Sequence, residues 1–464
     1  VATVEDSRTA GQRRRPNLGL GLLLVLVVSF AAFSASRMLP AQPYGLAVDW
    51  RVFSAAATVV GQGGSPYDPA VLAAAEQRAD HYPVAQPVID DFANPALVAW
   101  ILQPLAALPF WLGYAVLAAL GLVAAALALT LWLRRLGWRQ PVRWSLLALL
   151  SWPSLVGLFS GQFDLLLLAM AIGAMVLAIR RRPGLAGSLC VVAAMFKPHI
   201  LWPLPILLAA AQVPDRRAVL RCAGAAVATT AVVAAAGELL MPGSTRAFLA
   251  HLMGFGSRVS TAQPDLAGVS GLLARLPWGG VAAVAIAVAG AAATMGFAGW
   301  WAAARRPRSL PAEQHVMLGV SLGLALWLVA APYAHPNDDV LLFPLLAMVI
   351  GSGASAATPR QLAWALVAAF GVVAAFLLSP AAGLVAVVAA AAAAWLRRDV
   401  IGDGWAAAAS LAGLVVLPMA WPFHLLAVSL TPLAVLTVAA AGVLLVRRSP
   451  TLRAGCSRAC APAS

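Results

Sequence analysis

The sequence predicts an all-α, polytopic membrane bundle, and three observations carry that prediction. Of the 464 residues, 62% are hydrophobic and only 10% charged, where a soluble domain is about a quarter charged. The apolar residues fall in long runs of Ala, Leu, Val and Gly, about 15 to 25 residues each, which is the length a helix needs to cross roughly 30 Å of hydrocarbon. Arginines gather in short clusters between those runs. In lipid every backbone N–H and C=O must find its partner inside the protein, and the runs lack the alternation of an outer-membrane barrel, so helices are the remaining solution.

The formal charge of +14 would suggest nucleic acid in a soluble chain. Here it is topological, because basic clusters at the ends of membrane helices hold those ends in the cytoplasm, and no nucleic-acid partner is expected. Cys190 and Cys222 lie in apolar runs, while Cys456 and Cys460 sit in a basic tail. Neither pair has zinc-ligand spacing or the look of a disulfide framework. The first apolar run, Leu18 to Leu39, follows Arg13-Arg14-Arg15 and resembles a signal peptide with a small-residue site near Ala35. The many runs behind it favour an uncleaved anchor with its N-terminus inside.

Arginine clusters at Arg13 to Arg15, Arg134 to Arg143, Arg180 to Arg182, Arg216 to Arg221, Arg305 to Arg308, Arg360, Arg397/Arg398 and Arg447 to Arg453 mark inward ends in a self-consistent order. The chain then divides into a cytoplasmic N-terminus (1–17), a transmembrane domain (18–446) of about 12 to 14 helices, and a cytoplasmic tail (447–464). The first extracytoplasmic loop covers 40–94 and a second covers 241–278. The apolar stretch from Pro95 to Pro109 reads as re-entrant or interfacial, because a full span there would turn the Arg134 cluster outward. Leu185 to Phe196 and Ile200 to Ala211 are half-length runs meeting at Lys197-Pro198, and broken helices at membrane depth are tolerated only against protein or a wet cavity. No internal repeat is visible, which disfavours a secondary transporter built from inverted halves.

Most carboxylates and histidines fall on the outward side. Asp49 opens a predicted short helix whose Val52, Phe53 and Ala56 share an apolar face, suiting an interfacial position. Its carboxylate either complements the helix dipole or takes a proton from an acceptor hydroxyl. Lys197 is the only lysine in the chain; it either snorkels from a helix end or meets a phosphate as a point charge. The polar knot Pro332 to Asp339 offers His335 with Asp338 three residues on, an oriented donor–acceptor pair or a solvated turn. Asp338-Asp339 alone is a weak cation site, and no metal or cofactor is expected. In Gly161-Gln162-Phe163-Asp164, glycine permits the bend while Gln162 and Asp164 offer partners to sugar hydroxyls. Walker sequences, nucleotide-binding glycine loops, serine elbows and metalloprotease helices are absent from the sequence.

Taken in order, Asp49-Trp50-Arg51-Val52-Phe53, Gly61, Pro66-Tyr67-Asp68, Phe92-Ala93-Asn94-Pro95, Gly161-Gln162-Phe163-Asp164, Gly184 and Gly187 leading to Lys197-Pro198, and His335 with Asp338 resemble the integral-membrane glycosyltransferases of family 87. That family includes polyprenol-phosphate-mannose-dependent α-(1→2) mannosyltransferases. The resemblance implies a GT-C type bundle, a polyprenyl-phosphate sugar donor, a glycolipid or glycan acceptor, inversion at the anomeric carbon and an active site on the outer face of the plasma membrane. It implies catalytic roles for Asp49 and His335, and donor-phosphate or substrate contacts for Lys197, Arg51, Gln162, Asp164, His199 and Asp338. The chain departs from the family pattern at Ala93-Asn94, where Tyr-Pro is usual, and at Phe163, where Asn is usual. The rival readings are a lipid or small-solute transporter or flippase, which should carry its ionisable residues near helix midpoints, and a non-catalytic membrane scaffold.

Overall fold

A computed structural model describes residues 46–79, 91–213, 215–259, 279–303, 312–353 and 361. The anchor at Leu18 to Leu39, most of the second loop, the C-terminal spans and the cysteines of the tail lie outside these residues, as does any test of the total helix number. Among the described residues all regular structure is helical: α1 (Val48–Gly61), α2 (Pro69–Ala79), α3 (Ala96–Ala106), α4 (Phe110–Arg135), α5 (Pro141–Leu149), α6 (Trp152–Ser160), α7 (Asp164–Ile179), α8 (Pro183–Phe196), α9 (Pro198–Leu201), α10 (Leu204–Ala211), α11 (Arg216–Leu240), α12 (Ser244–Val259), α13 (Gly279–Ala303), α14 (Ala312–Ala330), a 3-10 turn (Pro336–Leu342) and α15 (Phe343–Gly353).

Local chemistry sets the breaks. Prolines open α5, α8 and α9, where a missing N–H is harmless and φ is already helical. Asp215 caps α11 by accepting from the N–H groups of Arg217 and Ala218. Four helices among the described residues are long and apolar enough to cross a membrane (α4, α11, Val284–Ala303 of α13, and α14), or five if α5 and α6, bent by 57°, form one broken span. The protein is a polytopic helical membrane protein. Its helix surfaces agree, because Leu220, Val227, Val232 and Leu239 of α11 are 61 to 84% exposed, an apolar face too large for water to tolerate. By contrast α14 is mostly enclosed by its neighbours.

The 26 residues of α4 span about 39 Å and so connect two opposite poles. At the first, the indole of Trp50 donates to the carbonyl of Phe110 (3.0 Å) at the start of α4. At the second, Arg135 pairs with Glu313 at 3.0 Å, joining the end of α4 to the start of α14. α3, at 11 residues, covers only about 17 Å; the stretch expected to be re-entrant or interfacial is indeed too short to cross.

α1 begins where the sequence places it, and it is buried on more than the one face expected. Trp50, Val52, Phe53, Ser54, Ala55, Ala56, Ala57, Val59 and Val60 are all buried, which encircles the helix. The reason is size: a run of Ala and Ser lets α2 and α3 pack closely against it.

Candidate active site at one pole of the bundle

The site grows from three turns that meet near Trp50. The first is the start of α1, where the N–H of Ala47, in the left-handed region at φ 63°, donates to Phe159 O at 2.7 Å. The second is the α6–α7 turn. Gly161 sits at φ +79°, and a Cβ there would lie 2.7 Å from Trp50 Cβ and 3.1 Å from Trp50 N. Only glycine meets both demands, so α1 rests directly on this turn at Trp50, the residue after Asp49. Asp49, Arg51 and Gln162 are all half-buried.

The third turn is the break between α8 and α9, which Phe163 ties to the others. Its ring contacts Phe53 of α1 at 4.4 Å and Phe196 of α8 at 5.0 Å. Asn94, 6% exposed, donates its amide to Phe196 O at 2.5 Å and so satisfies a helix-end carbonyl that would otherwise be orphaned. Tyr67 donates in turn to Asn94 O at 2.8 Å. Burial pushes the Tyr67 phenol above its ordinary value, which keeps it a donor. The next residue after Phe196 is Lys197.

Lys197 is sealed in the core at 5% exposure. Its ammonium lies 2.9 Å from Asp164 Oδ1 and 2.8 Å from Asp338 Oδ1. The first contact is an aligned hydrogen bond; the second is a close ion pair without that alignment. Asp164 Oδ2 accepts from Asn337 Nδ2 at 2.6 Å, and Asp338 Oδ2 accepts from the His335 N–H at 2.8 Å. Charges out of water are stable only when paired and hydrogen-bonded, and every member of this group is. Gly157 of α6 forms its floor, since a Cβ there would stand 3.3 Å from Asp164 Oδ2 and 3.5 Å from Asn337 Cβ.

From the sequence, Asp164 and Asp338 count among the substrate contacts and Lys197 faces a phosphate. In the structure the two carboxylates are 1% and 0% exposed, with both oxygens of each engaged within the protein. The lysine faces them. The physical reason is pairwise: a lone buried ammonium would be costly, and attraction to each carboxylate offsets that cost although the two carboxylates repel one another. Among the described residues no three His, Cys, Asp or Glu side chains are placed to share a metal ion.

His335 caps the 3-10 turn in a reciprocal box with Asp338. Its ring is edge-on to Tyr333 at 4.8 Å, and Tyr333 is edge-on to His199 at 5.5 Å, so a His–Tyr–His row borders the ion cluster. The Nε2 of His199 is buried without a hydrogen-bond partner among the described residues.

Set beside known proteins, residues 92–332, just over half of the chain, match the family model for glycosyltransferase family 87. The chain belongs to glycosyltransferase family 87. Among curated proteins and among solved structures nothing matches. The matched stretch of this family 87 chain contains Asn94, Gln162, Asp164, Lys197 and His199, whereas Asp49 and His335 lie on either side of it. Sequence reasoning passed over Asn337, Tyr333 and Gly157 as contributors. Asn337 and Tyr333 do stand in the polar knot around His335, so the signal was there, but a glycine floor has none until the helices are packed.

Proposed function

We propose that this glycosyltransferase moves a sugar, mannose by its family resemblance, from a polyprenyl-phosphate donor to an envelope glycolipid or glycan on the outer face of the plasma membrane, with inversion. Asp49 accepts the proton of the acceptor hydroxyl. The acceptor oxygen forms the new bond to the anomeric carbon as the bond from that carbon to the phosphate oxygen breaks, and the electron pair leaves with the polyprenyl phosphate. His335 is the second group at the reaction centre, and Arg51 meets the departing phosphate. Gln162 and His199 face the sugar, while Lys197, already engaged by two carboxylates, stays out of that contact. A lipid phosphate is already a good leaving group, so a base and a positive charge, held with both reactants at one interface, suffice.

One observation supports this most: in a family 87 chain, the first turn of α1, the 161–164 turn, the Lys197 break and the His335 turn converge at one pole. Among the described residues Arg135 ends α4 at the other pole and Arg180 follows the end of α7 away from Asp164, which supports an outward-facing site. A transporter reading finds less support, because the ionisable groups sit at helix ends.

The test is transfer by purified protein from radiolabelled polyprenyl-phosphate mannose to a glycolipid. Asp49→Asn should lower the rate about 100- to 10,000-fold, the usual worth of a general base. Undiminished transfer by that variant would remove Asp49 from the reaction, and lipid movement without any transfer would favour a flippase. Cysteines introduced at Asp68 and Arg180 should label from opposite sides of the membrane; labelling from the same side contradicts the orientation.

A further inference from the structure

We propose that Lys197 is a positioning residue: its ammonium, clamped between Asp164 and Asp338, sets the 335–337 turn and thereby holds His335 in place. This rests on the assignment of His335 to the reaction centre. The arrangement is symmetrical in function. Each carboxylate turns one oxygen to the lysine and the other to that turn, Asp164 gripping the Asn337 amide at 2.6 Å and Asp338 the His335 N–H at 2.8 Å. The lysine thus links three remote parts of the chain, the first residue of α7, the α8–α9 break and the cap of the 3-10 turn.

Several features make the clamp specific. The group is almost wholly closed to solvent, so screening by water and salt is weak and the ion pairs hold geometry as well as charge. The Asn94 amide on Phe196 O fixes the backbone one residue before Lys197. Gly157 packs closely against both side chains, a Cβ there standing 3.3 Å from Asp164 Oδ2 and 3.5 Å from Asn337 Cβ. A short 3-10 turn has few internal hydrogen bonds of its own, so the side chains that grip it from α7 and from the lysine decide where His335 sits. A lysine placed to bind a phosphate needs uncommitted charge and access; Lys197 has two anionic neighbours and 5% exposure.

Two variants of the full-length protein, Lys197→Met and Asp164→Asn, test the clamp through hydrogen–deuterium exchange and through steady-state transfer from polyprenyl-phosphate mannose. Exchange at residues 335–339 should quicken at least tenfold in Lys197→Met, with α4 unchanged, and severalfold in Asp164→Asn, which keeps one ion pair and folds even if the lysine variant does not. In both, kcat should fall at least tenfold while donor KM stays within about threefold. Unchanged exchange together with a donor KM raised tenfold in Lys197→Met, or a donor KM lowered in Asp164→Asn as the freed lysine meets phosphate, would overturn the proposal in favour of direct phosphate contact. Should wild type transfer no sugar at all, the proposed function fails, while the exchange measurement still decides whether Lys197 holds the turn.

Discussion

Replacing Gly161 by alanine should damage the site at the point where α1 rests on the α6–α7 turn. Two penalties combine there. The residue sits at φ +79°, and an L side chain in the left-handed region costs about 1–2 kcal/mol. The new Cβ would also lie 2.7 Å from Trp50 Cβ and 3.1 Å from Trp50 N, atoms fixed to the α1 backbone, so relief requires moving a helix; forced overpacking costs about 1–3 kcal/mol more. The sum is about 2–5 kcal/mol. Gly63 provides the control, since it has the same φ of +79° with nothing within 4 Å of its would-be Cβ, and Gly63→Ala should cost only about 1–2 kcal/mol. Thermal unfolding of both variants in detergent should therefore rank Gly161→Ala below Gly63→Ala. Because Asp49 is the residue before Trp50, a shift near 1 Å should also reduce transfer on the order of 100-fold in Gly161→Ala and little in Gly63→Ala. Equal melting of the two variants, with full transfer by Gly161→Ala, would refute the close approach and the placement of Asp49 that depends on it.

Other perturbations follow the same geometry. Asn94→Ala removes the donor to Phe196 O and leaves a buried carbonyl unsatisfied, so unfolding in detergent should show a loss of about 1–3 kcal/mol; a loss below about 0.5 kcal/mol would mean that water replaces the amide. Gly187→Ala drives a methyl into the backbone carbonyl of Cys222 where α8 crosses α11. It should destabilise by about 1–3 kcal/mol, whereas Gly224→Ala, which meets nothing within 4 Å, should leave the melting temperature level or higher.

Much of the architecture is legible in sequence because a bilayer imposes one-dimensional rules. Run length and the spacing of arginines mark helices and their directions, and the breaks at Pro95, Gly161 and Lys197-Pro198 appear at residues that forbid or permit particular backbone angles. Side-chain partnership is less legible. Lys197 stands out as the only lysine, yet its partners are 33 and 141 positions away, and no local pattern says that a basic residue among apolar ones faces carboxylates rather than a phosphate. α1 shows the same limit from another side: Val52, Phe53 and Ala56 mark an apolar face, but the burial of Ser54, Ala55 and Ala57 depends on what packs against them.

What the sequence determined by itself was the solvent of this protein, the helical class that follows from it, the order of the polar turns, and the family to which their residues point. Those properties depend on composition and on neighbours along the chain. Only the tertiary structure decided that the 161–164 turn, the α8–α9 break and the cap of the 3-10 turn close around one ammonium, that Asp164 and Asp338 are buried, and that Asn94 supports the backbone beside Lys197. The physical reason is that desolvation decides how a charged group is used. Whether Asp, Lys or His is a ligand, a base or a clamp depends on which opposite charges and hydrogen bonds replace its lost water, and those come from residues the chain brings together only on folding.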